Sequence, residues 1–374
     1  MPVEGPQHRY ETPFGELNLC RYPGRAKEPL LPWCSADTLL LEAMAQGGQN
    51  AAATLVVNDE HGALSLSLSA MALWTDSWMS ARAMRENATR NGLDAVPVVW
   101  STESPAVEAS VAVVRAPKHL PYFEDQLSRL AEVLPEGALV LVAGMDKHLS
   151  PRTAELMEKH LGPTERHRGR AHARLFSAVN EKLSSPGVHN TTRYHCDPLG
   201  LELEAAANVF SADKLDGGSR FLMEHLRKLP SVACVVDLAC GNGVLGLAAL
   251  RQGLANRLLA CDESAMAIES ARKNLSQHAP GFPIDYHHGD GLLGLDKGGD
   301  LILCNPPFHL QHTVDEFAGR RLLSQAARYL PPDGTLCLVA NRHLKYQSTL
   351  RREFASVELL AENRRFRIWL AQTG

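Results

Sequence analysis

The stretch DLILCNPPFH, Asp300 to His309, runs an apolar β-like segment straight into Asn305-Pro306-Pro307-Phe308. Two consecutive prolines fix the backbone and remove two amide donors, so carbonyls nearby are free to accept from a substrate. Asn305 adds a side-chain acceptor. An exocyclic amine held by Asn305 Oδ1 and the Pro306 carbonyl would turn its lone pair towards a methyl donor, and Phe308 offers a face on which a planar base or amide can stack. The alternative is a rigid turn leaving a strand; the sequence upstream argues against it.

Upstream, VVDLACGNGVLGL is an apolar strand that ends at a carboxylate, Asp237, and turns through Gly241 and Gly243 into a helix. Glycine lets the backbone approach a ligand closely, and the helix start that follows offers free N–H groups. The spacing D-x-x-x-G-x-G is not the G-x-G-x-x-G of dinucleotide-binding turns, because position 239 is Ala. Further on, RLLACD ends in Asp262, at a second strand end where an acid can accept both hydroxyls of a ribose; capping the next helix is the simpler role. HHGDGLLG places Asp290 after a third strand, where it could accept from an adenine amino group or merely make an Asp-Gly turn.

The elements that must carry these residues alternate short apolar runs with helix-like stretches, the pattern of an α/β fold with a parallel sheet covered by helices. At 374 residues, 45% hydrophobic and 21% charged, the chain has room for two such domains. The two halves also match each other in order. TLVVNDEHGALSLSLS from Thr54 matches CVVDLACGNGVLGLAAL from Cys234, and DSWMSARAMRENATRNGL from Asp76 matches DESAMAIESARKNLSQHA from Asp262. Two later pairs follow, VVRAPKHLPYFEDQL with LCNPPFHLQHTVDEF and LPEGALVLVAGMDKHL with LPPDGTLCLVANRHL. An internal duplication is expected, with residues 1–183 as one domain, 184–198 as a linker and 199–374 as the second domain.

The net charge of −4 argues against a uniformly basic protein, although Arg166–Arg174 and Arg364–Arg367 are local basic clusters. The eight cysteines have no C-x-x-C spacing and read as reduced and structural. His309 and His312 form an H-x-x-H pair that no further ligand completes, so no metal is expected. No secretory leader or membrane span is legible, and the expected location is the cytoplasm.

Together the Asn-Pro-Pro-Phe loop, the glycine turn and the acids resemble class I methyltransferases of the N-Pro-Pro-[Phe/Tyr] type, which act on adenine N6, guanine N2 or a glutamine amide. NVFSADKLDGGSRFL, from Asn208, is similar to the segment that closes over the cofactor in bacterial rRNA guanine-N2 methyltransferases. The resemblance implies S-adenosylmethionine as cofactor, with Phe210, Asp216 and Gly218 as contacts beside Asp237, Gly241, Gly243, Asp262, Asp290 and Asn305. It implies Asn305, Pro306, Pro307 and Phe308 as the catalytic loop. The VVNDEHGALS and ANRHLKY segments and the length are most similar to the large-subunit, 23S, branch of that family, which makes ribosomal RNA the expected partner.

The family's glycine turn begins D-x-G-x-G, whereas Ala239 stands here in the first glycine's place; an alanine fits a turn of negative φ, so cofactor binding is expected to survive. The first half has Arg115-Ala116-Pro117-Lys118 where the second has Asn305 to Phe308, and Glu60 and Gly62 where it has Gly241 and Gly243. It is expected to be a degenerate methyltransferase domain that docks RNA or supports the active half. Methylation of 16S rRNA, methylation of a glutamine amide in a protein, and cofactor binding without catalysis are the competing readings.

Overall fold

The computed structural model describes residues 5–106, 108–183, 191–307 and 316–374. Two units divide the chain, Met1–Asn190 and Thr191–Gly374. Residues 184–190 of the expected linker lie outside the described residues, and the linker's remaining stretch includes a strand that belongs to the second unit.

The first unit opens on a hairpin, β1 (His8–Thr12) and β2 (Gly15–Leu19). Its sheet is built from β3 (Thr54–Val57), β4 (Ala72–Thr75), β5 (Val98–Trp100), β6 (Val111–Arg115), β7 (Leu139–Met145), β8 (Thr164–Arg166) and β9 (Ala173–Val179). These lie in the order β5-β4-β3-β6-β7-β9-β8, with β9 antiparallel to both neighbours and the other pairings parallel.

The second unit repeats this plan. A hairpin, β10 (Thr191–Cys196) and β11 (Leu201–Ala206), precedes β12 (Val232–Leu238), β13 (Ala255–Asp262), β14 (Ile284–His288), β15 (Leu301–Cys304), β16 (Thr335–Asn341), β17 (Ser356–Glu362) and β18 (Phe366–Gln372). Their order is β14-β13-β12-β15-β16-β18-β17, with β18 antiparallel to β16 and β17. Apart from Thr54 the central strands TLVV in β3 and LILC in β15 are apolar, and every one of their residues is buried, as strands covered by helices on both faces must be. The expected α/β duplication is therefore present in the order of all seven strands.

Sheet register corrects one detail of the match between halves. Val57 pairs with Trp74 as Leu238 pairs with Cys261, so the counterpart of Asp262 is Thr75, and Asp76 corresponds to Glu263. The helix caps agree, since Ser77 and Ser264 each accept from the backbone three residues on, Ser80 and Ala267, at 3.1 Å. Thr75 Oγ1 accepts from Ser77 N as Asp262 Oδ1 accepts from Ser264 N. The two aspartates align in sequence only because they are one residue out of step.

Candidate active site

In the second unit, four loops meet at the carboxyl ends of parallel strands, where open α/β sheets bind ligands. The turn after β12 is held from several sides. Asp237, at 1% exposure, lies beneath it and accepts from Gly246 N at 2.8 Å, capping the helix Val244–Arg251 from the strand. Burial pushes the Asp237 carboxyl up to about 7, the Gly246 amide opposing and the Asp262 charge adding to the shift. Asn242 donates to Tyr194 Oη at 2.9 Å, tying the turn to the hairpin.

Gly243 caps that helix at φ +82°, and a Cβ there would stand 3.1 Å from the Cβ of Ala271, so only glycine fits. Gly241, at φ +55°, would meet nothing within 4 Å of an added Cβ and faces open space. Ala239 overturns the expectation of a negative φ: it sits at +61°, in the left-handed region. An L-residue other than glycine pays roughly 1–2 kcal/mol there. The turn holds Ala239 in a left-handed conformation that favours glycine and carries the strain of the methyl group.

Asp262 accepts from Gly241 N at 2.9 Å through Oδ2 and from Ser264 N at 3.0 Å through Oδ1, which fixes the carboxylate beside the open face of Gly241. Asp290 is buried at 2% exposure, and both its oxygens take the guanidinium of Arg321, from the helix Glu316–Tyr329. Gln325 on the same helix accepts from Leu292 N at 2.9 Å, so two side chains clamp the Asp290 turn.

Asn305 follows β15 directly. Its Nδ2 donates to Asp216 Oδ2 at 2.8 Å and to Ser219 Oγ at 3.0 Å. A carboxylate can only accept, which fixes the amide with its NH2 towards Asp216. Asn305 Oδ1 is then left buried with no hydrogen-bond partner among the described residues. Asp216 is itself the N-cap of the helix Gly217–Met223, accepting from Ser219 N at 2.9 Å. Gly218 packs so closely on the amide that a Cβ there would stand 3.3 Å from Asn305 Oδ1. Pro306 is buried and Pro307 exposed. Phe308 lies outside the described residues, as do His309 and His312; Phe210 is described and is 65% exposed.

Thus Asp216, Gly218 and Asn305 come together, as do Asp237, Gly241, Gly243 and Asp262. Ser219, Arg321 and Gln325 were not anticipated. Ser219 had a signal, the D-x-x-S spacing of a helix cap; Arg321 had none, being 31 residues from Asp290 in sequence.

The corresponding places in the first unit are filled by its own side chains. Asp59, in the turn after β3, accepts from Gly62 N, Leu64 N and Ser65 N at 2.7–3.0 Å and is 1% exposed, so a carboxylate occupies the helix start. Arg115, Asn305's counterpart, forms a buried ion pair with Asp37, which stands three residues into a helix (Ser35–Gln46) as Ser219 does in the second unit.

All eight cysteines are free, and burial pushes the thiols of Cys240, Cys261, Cys304 and Cys337 up, keeping them neutral. Among the described residues no group of three or more His, Cys, Asp or Glu could hold a metal, and no helix is long and apolar enough to cross a membrane.

Duplicated seven-stranded sheets, with a glycine turn, a strand-end acid and an Asn-Pro-Pro loop on the second, define a tandem class I methyltransferase. Residues 200–370 match the family model described as Methyltransferase small domain, and residues 7–182 match the RLMG N-terminal domain. The chain is 42% identical to the ribosomal RNA large subunit methyltransferase G of Alcanivorax borkumensis, over 97% of this chain and 96% of that protein. It is 40% identical to the protein of the same name from Ectopseudomonas mendocina, over 96% and 97%. The chain belongs to the ribosomal RNA large subunit methyltransferase G family. Its fold is that of a T. thermophilus 16S rRNA N2 methyltransferase in complex with AdoMet and guanosine, with a TM-score of 0.78 at 22% identity, covering 99% of this chain and 98% of that one.

Proposed function

We propose that this protein is the enzyme that methylates the exocyclic N2 amine of a guanine in 23S ribosomal RNA, in the cytoplasm, using S-adenosylmethionine. The observation that carries the chemistry is the lone oxygen of Asn305, buried, without a hydrogen-bond partner among the described residues and fixed in direction by Asp216 and Ser219. The choice of the large subunit rests on the full-length relatives at 40–42% identity.

The residues present suit the cofactor. Gly241 leaves open space where a side chain would otherwise stand, and Asp262 is fixed beside it, where its carboxylate would accept from the ribose hydroxyls. Gly243 sets the helix start, Asp237 supports it from below, and Asp290, buried against Arg321, would shape the turn that receives the adenine. We place Phe210 over the cofactor, because its exposed ring has the apolar area to gain from a ligand. The bound cofactor supplies a methyl group made electrophilic by its sulfonium.

Guanine N2 is a weak nucleophile because its lone pair is delocalised into the ring. Asn305 Oδ1 and the Pro306 carbonyl accept its two hydrogens, which favours the pyramidal nitrogen that develops as the new N–C bond forms. Pro306 and Pro307 hold this geometry without donors of their own, and Phe308 stacks on the base. The proton displaced from nitrogen passes to water. The first unit, its pocket closed by Asp59 and by Arg115 with Asp37, supports the active unit or docks RNA.

Mass spectrometry of 23S rRNA from a strain lacking the gene tests this. The expected result is one guanine without its N2 methyl group, restored by the wild-type gene and not by Asn305→Ala. A full complement of methylguanine in the deletion strain would refute the assignment.

A further inference from the structure

The chain as a whole is acidic, with a formal charge of −4, so no general field draws it to a polyanion. One edge of the second unit is different. The turn between β17 and β18 carries Arg364 and Arg365, and the end of β16 carries Arg342, His343 and Lys345; all five are exposed. The two segments are joined, because Asn341 pairs with Phe366 and Arg342 N donates to Arg365 O at 2.9 Å.

The turn is rigid. Asn363 Oδ1 accepts from Arg365 N and Phe366 N, both at 2.8 Å, and the Asn363 carbonyl accepts from Arg342 Nη1 at 3.2 Å. Glu362 pairs with Arg367 and, at 3.7 Å, with Arg342. Among the described residues, neither Arg364 nor Arg365 takes part in an ion pair. Exposed arginines on a braced backbone are suited to phosphate, which the guanidinium fork can bind with two parallel hydrogen bonds.

Their position relates them to the chemistry. Phe366, next in the chain to Arg365, has its ring against Gly217, 3.2 Å from where a Cβ there would stand. The next residue, Gly218, packs on the Asn305 amide. The braced cations are therefore one aromatic ring and one glycine pair away from the amide that receives the base.

We propose that the Arg364–Arg365 turn, with Arg342 and Lys345 beside it, binds the phosphates of the RNA strand that flanks the target guanine. This rests on the reading of the Asn305 loop as the site of rRNA methylation. The surface fixes where the strand lies and carries no base specificity, as phosphate contacts do.

The test compares the full-length protein, Arg364→Gln/Arg365→Gln, and a control pair, Lys228→Gln/Arg251→Gln. Lys228 precedes β12 and Arg251 ends the helix that leads away from the glycine turn, which places both at the amino ends of the parallel strands, the opposite end of the sheet from the Arg364–Arg365 turn. The probe is protein-free 23S rRNA from the deletion strain, with affinity measured over a range of KCl concentrations. The turn variant should lose affinity on the order of tenfold near physiological salt, and its log–log salt slope should fall by roughly 1.5, for two lost phosphate contacts. Its single-turnover rate at saturating RNA and its affinity for S-adenosylhomocysteine should match wild type, and the control pair should match wild type throughout. Unchanged affinity and slope in the turn variant, or an equal loss in the control, would overturn the proposal. Failure of the wild-type protein to bind or methylate this RNA would instead overturn the reading on which it rests.

Discussion

Asn87 and Asn274 are one structural device used twice. Asn274 accepts from Glu204 N, donates to the Glu204 carbonyl and donates to the Asn242 carbonyl, at 2.8–3.0 Å. Asn87 accepts from Cys20 N, donates to the Cys20 carbonyl and donates to the His61 carbonyl, at 2.8–2.9 Å. In each unit a buried amide on a helix thus ties the opening hairpin to the turn after the first sheet strand.

Either asparagine replaced by alanine leaves three backbone groups without their partner in a buried place. Each substitution should lower stability by about 2–4 kcal/mol. Denaturant titration of Asn87→Ala and Asn274→Ala measures it; a loss under 0.5 kcal/mol in both would mean that water replaces the amide.

Asp216 should act on turnover through Asn305. In Asp216→Asn the acceptor-only partner is gone and the Asn305 amide is free to turn over, presenting NH2 where an acceptor is needed. We expect kcat to fall roughly tenfold to a hundredfold, with affinity for S-adenosylhomocysteine within a fewfold of wild type. Single-turnover rates and calorimetry separate the two quantities. An equal loss in both would make Asp216 a cofactor contact instead of a positioning residue.

Cofactor should bind at one site per chain. Asp262→Ala should weaken it by tenfold or more, about 1.4 kcal/mol, whereas Thr75→Ala, at the matching place of the first unit, should leave affinity unchanged. Calorimetry with a stoichiometry of two equivalent sites would contradict the closed state of the first unit.

Asp237 should make stability depend on pH. Its folded carboxyl is raised to about 7, so its contribution is fully present below the unfolded carboxylate range and is lost as pH rises through about 7. The wild-type protein should lose stability between about pH 4 and 7 relative to Asp237→Asn, by roughly 3–4 kcal/mol. Parallel pH series of denaturant midpoints for the two proteins read the difference directly, and superimposable curves would rule it out.

Ala239→Gly should stabilise the second unit by about 1 kcal/mol, since it relieves a left-handed alanine at the cost of some unfolded-state entropy. A rise in melting temperature of the second unit checks it.

The sequence displayed what local chemistry dictates: the two apolar strand sets, the glycine turn, and the Asn-Pro-Pro loop at the end of β15. It misplaced Asp76 by one position because two aspartates invite alignment, while the true match, Thr75, shows only in the pairing of β3 with β4. It pointed Asn305 Oδ1 at the substrate amine but missed what holds it there, because Asp216 lies 89 residues away, and missed the clamp on Asp290 because Arg321 lies on a later helix. Ala239 was misjudged for a different reason: the turn's path is set by the strand and helix on either side, and the residue conforms to it at a cost.

The buried ion pair of Arg115 with Asp37 bears on the history of the first unit. Restoring asparagine at 115 alone would strand the carboxylate of Asp37, and removing Asp37 alone would strand the guanidinium; breaking such a pair from one side costs about 3–5 kcal/mol. Asp59 would have to go as well before a ligand could reach the helix start. Each single change towards an open pocket crosses a less stable protein, so the side chains that fill the first unit act as a ratchet against its gaining a ligand site like that of the second.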